Sequence, residues 1–260
     1  MTAQRQSAFD AVAETYDRVR PSYPEPLFDD LFTYLDGPAS PAVCEIGAGT
    51  GKATASLLRH GAHVTAIELG PNMATFLRTK FVGETRLEVL TGAFEEVLIE
   101  PHSFDLVLSA TAFHWLDPSS RLTKSHAVLR AGGALAVIDT NQVASDADRG
   151  FFERCQPIYD RYYPGESHTA AAGPDITPPA FVEILKSALF DDVRLWRYPW
   201  DQHYSTSAYA DLVMSYSNTQ SLPSEQRDGL VADLCALIDA EFGGEVTRPL
   251  VVTLVTGRTR

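Results

Sequence analysis

Short apolar runs alternate with helix-like stretches along the first half of this chain, and this alternation constrains its fold more than any other feature. Each run is short enough for a buried strand and ends at a glycine or a polar residue. The five runs cover residues 41–46, 62–67, 85–90, 104–110 and 133–139. The helix-like stretches cover 51–60, 71–80 and 118–130. Strands that alternate with helices in this way form a parallel sheet covered on both faces.

The second half adds two strand-like segments and two long connections. Residues 193–200 and 249–256 predict a sixth and a seventh strand. The connection at 141–190 begins with an aromatic, helix-like stretch. It continues into a proline- and glycine-rich loop at 164–179, which we expect to be the most mobile segment. The second connection contains two helix-like stretches, 206–218 and 224–242.

Proline and glycine residues indicate where several predicted elements begin and end. Pro71 suits the first turn of a helix, because the N–H that it lacks would have no partner there. Asp117 and Pro118 predict the N-cap and the first residue of the next helix. Gly132 and Gly133 predict a break between that helix and the fifth strand.

Charge and composition exclude several classes of protein. The formal net charge is −13, from 34 acidic and 21 basic residues, and a surface of that sign repels the phosphates of nucleic acids. No apolar run approaches the length of a membrane-spanning helix, and the N-terminus lacks the apolar region of a secretory signal. Three widely spaced cysteines, Cys44, Cys155 and Cys235, predict reduced and mostly buried thiols in a cytoplasmic protein.

The segment EIGAGTGKAT at 45–54 could serve a phosphate, a dinucleotide or another ligand. A phosphate-binding loop ending in Gly-Lys-Ser/Thr would need a glycine and a hydroxyl residue where the chain has Ile46 and Ala53. A dinucleotide-binding fingerprint would need a third glycine where the chain has Lys52. The segment therefore fits neither pattern.

The spacing that is present, Gly47-x-Gly49-x-Gly51 after Glu45, resembles the first motif of class I S-adenosylmethionine-dependent methyltransferases. Further segments resemble the Methyltransf_11-type small-molecule methyltransferases, and the resemblance is dense from residue 8 to residue 140. These segments are FDAVAETYDRVRPSYP, FDLVLSATAFHWLDP and HAVLRAGGALAVID.

The resemblance implies a Rossmann-like, doubly wound sheet of seven strands. Five parallel strands come first, the last strand is antiparallel, and the late insertions form a helical cap. The chain would divide into N-terminal lid helices, a cofactor-binding core, a cap insertion, and a last section with two strands and a second helical insertion. These sections are residues 1–35, 36–140, 141–190 and 191–260. The ligand would lie outside the carboxyl ends of the strands, where the strand order reverses.

The resemblance also implies a site for S-adenosylmethionine, with S-adenosylhomocysteine as the product and no metal. Glycines let the backbone approach the amino-acid part of the cofactor, and Glu45 would face its ammonium group. Glu68 follows the first glycines by about 20 residues, the spacing at which an acid reaches ribose hydroxyls. The alternative for Glu68 is an exposed acid that caps the next helix. The implied cofactor-binding residues are Tyr16, Arg20, Glu45, Gly47, Ala48, Gly49, Gly51, Glu68, Leu69, Ala93, Phe94, Ser109 and Ala110.

Several of these assignments have a structural alternative. Ala93 stands where the family usually has the acid that holds adenine. Phe94 is expected either to lie against the adenine ring or to fill the core. Tyr16 and Arg20 would either contact the cofactor or the substrate, or only tie the lid to the rest of the domain.

His114 is the candidate general base, because imidazole titrates near working pH. Its alternative role is only to hydrogen-bond the cofactor or the backbone. Aromatic residues of the late insertions would enclose an apolar or aromatic acceptor, although such residues at helical spacing also fill cores. The predicted substrate-binding residues are His114, Trp115, Tyr159, Tyr163, Trp200, His203 as second-choice base, and Tyr216.

The predicted function is methyl transfer by in-line displacement to oxygen, nitrogen or carbon of a small molecule, by a monomer or a homodimer. No Asn-Pro-Pro-aromatic tetrad follows the fourth strand, and no second acid completes a Mg²⁺ site with Asp139 and Asn141. A cofactor-binding regulator or scaffold without catalytic activity is the alternative from another class. An NAD(P)-dependent oxidoreductase is the third possibility.

Overall fold

The computed structural model describes residues 13–164 and 172–260. The strands are β1 (Ala42–Ile46), β2 (His63–Glu68), β3 (Leu87–Thr91), β4 (Phe104–Ala110), β5 (Leu129–Gln142), β6 (Phe190–Ser205) and β7 (Glu245–Thr259). The helices are α1 (Ala13–Val19), α2 (Glu25–Leu35), α3 (Lys52–Arg59), α4 (Pro71–Lys80), α5 (Arg121–Val128), α6 (Phe151–Tyr162), α7 (Pro179–Lys186), α8 (Thr206–Met214), α9 (Ser217–Gln220) and α10 (Ser224–Phe242).

The seven strands form one sheet in the order β3-β2-β1-β4-β5-β7-β6. β1 pairs in parallel with β2 and β4, β2 with β3, and β4 with β5. The sheet is mixed, with an antiparallel end. The predicted Rossmann-like sheet is therefore confirmed. The strand order reverses between β1 and β4, so a crevice is expected outside the carboxyl ends of these two strands.

The chain forms two compact units, which we call the sheet unit and the helical unit. The sheet unit comprises residues 22–140, 177–198 and 252–260. Its central strands β1 and β4 are almost fully buried, as expected for parallel strands covered on both faces. One buried cluster joins Ile46, Ile67, Val107 and Leu135 from four neighbouring strands.

The described residues of the helical unit are 13–21, 141–164, 172–176 and 199–251. In this unit α10 packs against α6 and α8, and α8 packs against α1. Its core is rich in aromatic side chains. The edge of the Phe151 ring meets Tyr209 and Phe242, with centroids 5.1 and 5.2 Å away.

Two predicted element boundaries around α5 are wrong. The helix begins at Arg121 and not at Pro118, because Asp117 and Pro118 start a separate turn. The Asp117 side chain accepts a hydrogen bond from the Ser119 N–H at 2.9 Å, and its carbonyl accepts one from the Arg121 N–H at 2.9 Å. Such local bonds of an aspartate favour turns over helix interiors.

The expected break at Gly132 and Gly133 is also wrong, because β5 begins at Leu129 and continues through both glycines. A Cβ atom at Gly133 would lie 2.9 Å from the Arg130 carbonyl oxygen, so the backbone approaches itself closely here. The pairing with β4 shifts its register between Phe104 and Leu106. The glycines therefore form an irregularity within the strand.

Two helices differ from expectation in the later insertions. The stretch predicted as one helix over 206–218 is divided into α8 and α9. The Ser215 hydroxyl donates to the Leu212 carbonyl at 2.6 Å, a local bond that competes with helix continuation. The sequence analysis missed α7, although Pro179 at its first position is a helix-start signal.

Several features predicted from composition can also be compared with the structure. All three cysteines are free thiols, with Cys44 and Cys155 buried, as predicted. Residues 165–171 of the loop predicted to be mobile, 164–179, lie outside the described residues. Among the helices of the described part, none combines the length and apolar character that crossing a membrane requires.

Candidate functional site

The loop after β1, residues 47–51, which we call the glycine loop, packs too closely against its neighbours to allow side chains at two of its glycines. A Cβ atom at Gly47 would lie 2.5 Å from the Cβ atom of Ala112, and one at Gly51 would lie 2.6 Å from the Phe81 ring. At Gly49, by contrast, no atom of the described residues lies within 4 Å of the position that a Cβ atom would take. The loop is therefore held on both sides of a stretch of bare backbone that faces open space.

Glu68, at the end of β2, holds this loop through hydrogen bonds from backbone N–H groups. One carboxylate oxygen accepts from the Gly49 N–H at 2.7 Å, and the other accepts from the Gly70 N–H at 2.8 Å. The side chain is buried and is not the exposed acid of the alternative interpretation. Its carboxylate therefore lies at the crevice, next to the bare backbone of Gly49.

Glu45, at the end of β1, is a second buried acid beside the loop. The Thr54 hydroxyl donates to its carboxylate at 2.6 Å, and the described residues offer it no ion pair with a basic side chain. Burial raises the pKa of Glu45 to about 8, and the negative charge of Glu68 adds to this effect. The buried hydroxyl of Thr50, in the same loop, has no hydrogen-bond partner in the part of the chain that the structure describes. Polar groups thus remain unmatched around the glycine loop.

The segment after β4 forms the other side of the crevice. Ser109 is fully buried, and its hydroxyl donates to the Ile46 carbonyl at 3.3 Å. Thr111 has φ 56°, a left-handed conformation that is costly for a β-branched residue. Its hydroxyl lies 2.9 Å from the Tyr23 hydroxyl. Strain of this kind at the end of a central strand is typical of functional segments.

His114 and Trp115 follow in a single turn of 3-10 helix, with their rings 4.4 Å apart. His114 remains accessible to solvent, but partial burial lowers its pKa. The nearby Asp139 carboxylate, at the end of β5, opposes this shift. Burial raises the pKa of Asp139, and the charge of His114 in turn lowers it.

In the sequence, Asp139 stands out only as a candidate metal ligand, and its proximity to His114 was not predicted. Ala110 of β4 pairs with Ile138 of β5, so the residues that follow these two positions emerge at the same edge of the sheet. The parallel order of the two strands was the signal that could have identified this pair.

The other predicted cofactor residues of the sheet unit lie near the ends of β1 to β4. Ala48 is buried, Leu69 is exposed, and Ala93 is half-buried. The Gly92 N–H donates to the Glu68 carbonyl at 2.9 Å, which links the turn after β3 to the end of β2. The Phe94 ring belongs to the buried hydrophobic cluster, which favours the core role among its two alternatives.

Within the helical unit, Tyr16, Arg20 and Tyr216 come together. The Arg20 guanidinium carbon lies 5.1 Å from the centroid of the Tyr16 ring and 4.2 Å from that of the Tyr216 ring. Arg248, which the sequence analysis missed, donates from Nη1 to the Tyr216 hydroxyl at 2.6 Å. The local sequence held no signal for it, since Arg248 lies just before the apolar run 249–256.

The other predicted substrate residues of this unit are in different surroundings. The hydroxyl of Tyr159 lies 3.4 Å from that of Tyr209, and the buried Tyr163 bonds to Thr219 at 3.2 Å. Trp200 is half-buried on β6. His203 is exposed, and its Nδ1 lies 2.9 Å from the Thr247 hydroxyl. His203 and Thr247 line a small surface cavity together with Asp148, Arg149, Phe242, Glu245 and Val246.

Within the described residues, no group of three or more histidine, cysteine, aspartate or glutamate side chains is arranged to hold a metal ion. The ionisable groups at the crevice are instead Glu45, Glu68, His114 and Asp139. Two buried acids beside bare backbone can hold a ligand with a cationic group and several hydroxyls.

The known proteins to which this chain is similar are methyltransferases. Residues 44–137 match the methyltransferase domain family Methyltransf_11. An uncharacterized methyltransferase of Mycobacterium bovis is 29% identical over 230 residues, which cover 87% of this chain and 85% of the relative. An uncharacterized methyltransferase of Geobacillus kaustophilus is 30% identical over 173 residues, which cover 60% of this chain and 80% of the relative.

The fold is also similar to that of solved methyltransferases. A phosphoethanolamine N-methyltransferase of Haemonchus contortus was solved with phosphomonomethylethanolamine and S-adenosylhomocysteine. It matches with a TM-score of 0.58 at 15% identity, over 100% of this chain and 60% of that chain. At this identity the likeness concerns the fold alone.

Proposed function

Since this chain belongs to the class I S-adenosylmethionine-dependent methyltransferases, we propose that it methylates a small-molecule acceptor. The observation that carries the proposal is the Glu68 carboxylate, bonded to the Gly49 N–H at 2.7 Å beside open space. Bound S-adenosylmethionine supplies the electrophilic methyl group, so the protein has to bind and orient the cofactor and the acceptor and exclude water.

The two buried acids fit the two polar parts of the cofactor. Each carboxylate oxygen of Glu68 accepts a backbone N–H, and because an ionised carboxylate has about four acceptor positions, we also assign it to the ribose hydroxyls. Glu45 has no basic partner among the described residues, and we assign it to the ammonium group of the cofactor. The bare backbone at Gly49 leaves space for the ligand between these contacts.

We assign the acceptor side of the sheet unit to His114, Trp115 and Asp139. When the acceptor is a hydroxyl or an ammonium group, a proton has to leave it, and a neutral imidazole can accept that proton. The lowered pKa keeps His114 neutral at pH 7, as this role requires. Asp139 acts as a positioning residue, because its charge stabilises the imidazolium that forms.

Replacing Asp139 with asparagine is expected to lower the pKa of His114 further. The Asp139 carboxylate raises this pKa against the effect of burial, and the variant removes only the opposing charge. The shift is expected to be below about one pH unit, because the histidine is accessible to solvent. An NMR titration of the His114 ring protons measures it, with Glu96→Gln, an exposed acid, as the matched control. A raised or unchanged pKa would mean that the two side chains do not interact.

The small size of the acceptor is supported by charge, since a net charge of −13 disfavours nucleic acid as the substrate. Three free cysteines favour the cytoplasm as the place of the reaction. The acceptor atom, whether oxygen, nitrogen or carbon, is left open, as is the choice between a monomer and a homodimer.

The proposal is tested by binding and by transfer. Calorimetry with S-adenosylmethionine, S-adenosylhomocysteine and NAD identifies the cofactor. Methyl-labelled S-adenosylmethionine is then offered with a panel of small carboxylic acids, phenols and amines, using the wild type and His114→Ala. Transfer by the wild type supports the proposal. Binding of S-adenosylhomocysteine without transfer across the panel would favour the inactive cofactor-binding protein, and binding of NAD alone would favour an oxidoreductase.

A further inference from the structure

Two arginines of the helical unit converge on Tyr216. The Arg20 guanidinium lies over its ring at 4.2 Å, and Nη1 of Arg248 donates to its hydroxyl at 2.6 Å. Both arginines are half-buried. Two positive charges near one side chain repel each other, and burial increases the cost of each charge. The arrangement therefore needs a compensating group.

Neither guanidinium has an acidic partner among the described residues. Arg20 donates to the hydroxyl and the carbonyl of Ser215, at 2.9 and 3.2 Å. Arg248 donates twice to Gln142 Oε1, at 2.6 and 3.1 Å, and once to Tyr216. All of these acceptors are neutral. A guanidinium has five N–H groups, so each arginine keeps donors that these bonds do not use.

Three exposed arginines of the same unit provide an internal comparison. Arg18 pairs with Asp211 at 2.8 Å, and Arg154 pairs with Glu241 through Nε at 2.8 Å. Arg161 pairs with an aspartate at 2.6 Å. The unit thus places acids beside these three arginines, whereas the two arginines that converge on Tyr216 have none among the described residues.

The other groups near Arg248 are phenols that stay neutral. Burial raises the pKa of Tyr204 to about 12, and it also raises the pKa of Tyr159 and of Tyr209. Neutral phenols donate hydrogen bonds but contribute no charge. The surroundings of Arg248 are therefore aromatic, rich in donors and positive.

We propose that Arg248, together with Arg20, forms a binding site within the helical unit for a small molecule that carries a carboxylate. A planar guanidinium matches a carboxylate well, and desolvated pairs of this kind are strong. The aromatic side chains suit a ligand with an apolar or aromatic body. Arg248 is then the residue that makes this site prefer an acid over its neutral counterpart.

Benzoate, benzamide and phenyl phosphate are the probes for this site, titrated into the full-length protein and followed by NMR. We expect saturable binding of benzoate and at least about tenfold weaker binding of benzamide. Arg248→Gln is expected to weaken benzoate binding by about 10–100-fold, the range for a hydrogen-bonded charge. Arg154→Gln, which removes an exposed arginine of the same unit, is the matched control and should leave benzoate binding unchanged.

The possible results separate the sources of the anion. Equal loss of S-adenosylhomocysteine and benzoate binding in Arg248→Gln would assign the site to the carboxylate of the cofactor and overturn the inference. Tighter binding of phenyl phosphate than of benzoate, or no saturable benzoate binding, would also overturn it. If Arg248→Gln does not fold, Arg20→Gln provides the same test. Loss of benzoate binding alone leaves the proposed function intact, whereas a wild type that does not bind S-adenosylhomocysteine contradicts the proposed function itself.

Discussion

Replacing Glu68 with glutamine is expected to weaken the binding of S-adenosylhomocysteine by about 100-fold or more. Two effects add. The neutral amide loses the charge-assisted bonds proposed for the ribose hydroxyls, each contributing about 1.5–3 kcal/mol. In addition, the two oxygens of Glu68 accept backbone N–H groups from Gly49 and Gly70, and glutamine, with one amide oxygen, can keep only one of these two bonds. Isothermal titration calorimetry of the variant and the wild type measures the loss.

Glu96→Gln is the matched control, because Glu96 is an exposed glutamate that loses the same charge. It should bind S-adenosylhomocysteine as the wild type does. The thermal midpoint of both variants should be recorded as well, since the loop bonded to Glu68 is expected to loosen in the first of them. Binding by Glu68→Gln within about threefold of the wild type would show that Glu68 does not contact the adenosyl group, and the proposed cofactor site would then be wrong.

The parallel strands could be predicted from the sequence because their signal is local. β4 has the predicted bounds of 104–110, and its apolar run is buried on both faces. Glu45 and Glu68 could be placed at the crevice for the same reason. Glu68 directly follows one apolar run and Glu45 is the penultimate residue of another, and parallel strands that neighbour each other end at the same edge of the sheet.

The start of β5 could not be predicted because it depends on a contact between strands. Glycines usually end a helix and seldom continue a strand, so Gly132 and Gly133 indicated a break. In the folded chain a Cβ atom at Gly133 would meet both the Arg130 and the Asp105 carbonyl oxygens. This close approach exists only once β4 and β5 are paired, and no local pattern reports it.

The pairs of charged residues were missed for a similar reason. The sequence indicates a role for His114 from its chemistry alone and does not reveal the neighbour on which its pKa depends. Asp139 approaches it only through the register of β4 and β5. Arg248 lies just before the apolar run 249–256, and nothing in the local sequence indicates a role for its charge. Its guanidinium donates hydrogen bonds to Gln142 and Tyr216, which are distant in sequence, so these contacts could not be predicted.

The buried acid Glu45, beside the glycine loop, has opposite effects on the stability of the free protein and on the affinity for the cofactor. Without a cation, Glu45 is held in the core beside the negative charge of Glu68, and its ionised form is disfavoured. The ammonium group of the cofactor would favour that ionised form. A residue that costs stability in the free protein therefore contributes affinity in the complex, a common compromise at functional sites.

Replacing Glu45 with glutamine is expected to stabilise the cofactor-free protein at pH 7 by on the order of 3 kcal/mol. The pKa of Glu45 is raised from 4.5 to about 8 in the folded chain. The folded state therefore binds this proton more tightly than the unfolded state does. The resulting stability is fully present below about pH 4.5 and is lost as the pH rises to about 8. Glutamine keeps the Thr54 bond and carries no ionisable group. Urea unfolding of both proteins at pH 5 and pH 8 measures the difference.

The pH dependence of the stability difference between variant and wild type distinguishes the effect of Glu45 from a general effect of removing one charge. The stabilisation by Glu45→Gln should grow from pH 5 to pH 8, whereas Glu88→Gln, an exposed strand glutamate, should give a nearly constant value. The same Glu45→Gln protein should bind S-adenosylhomocysteine more weakly than the wild type. A variant that is less stable at both pH values would mean that Glu45 is ionised and paired in the free protein. The Glu45 carboxylate, which we propose binds the ammonium group of the cofactor, would then already have a partner in the free protein.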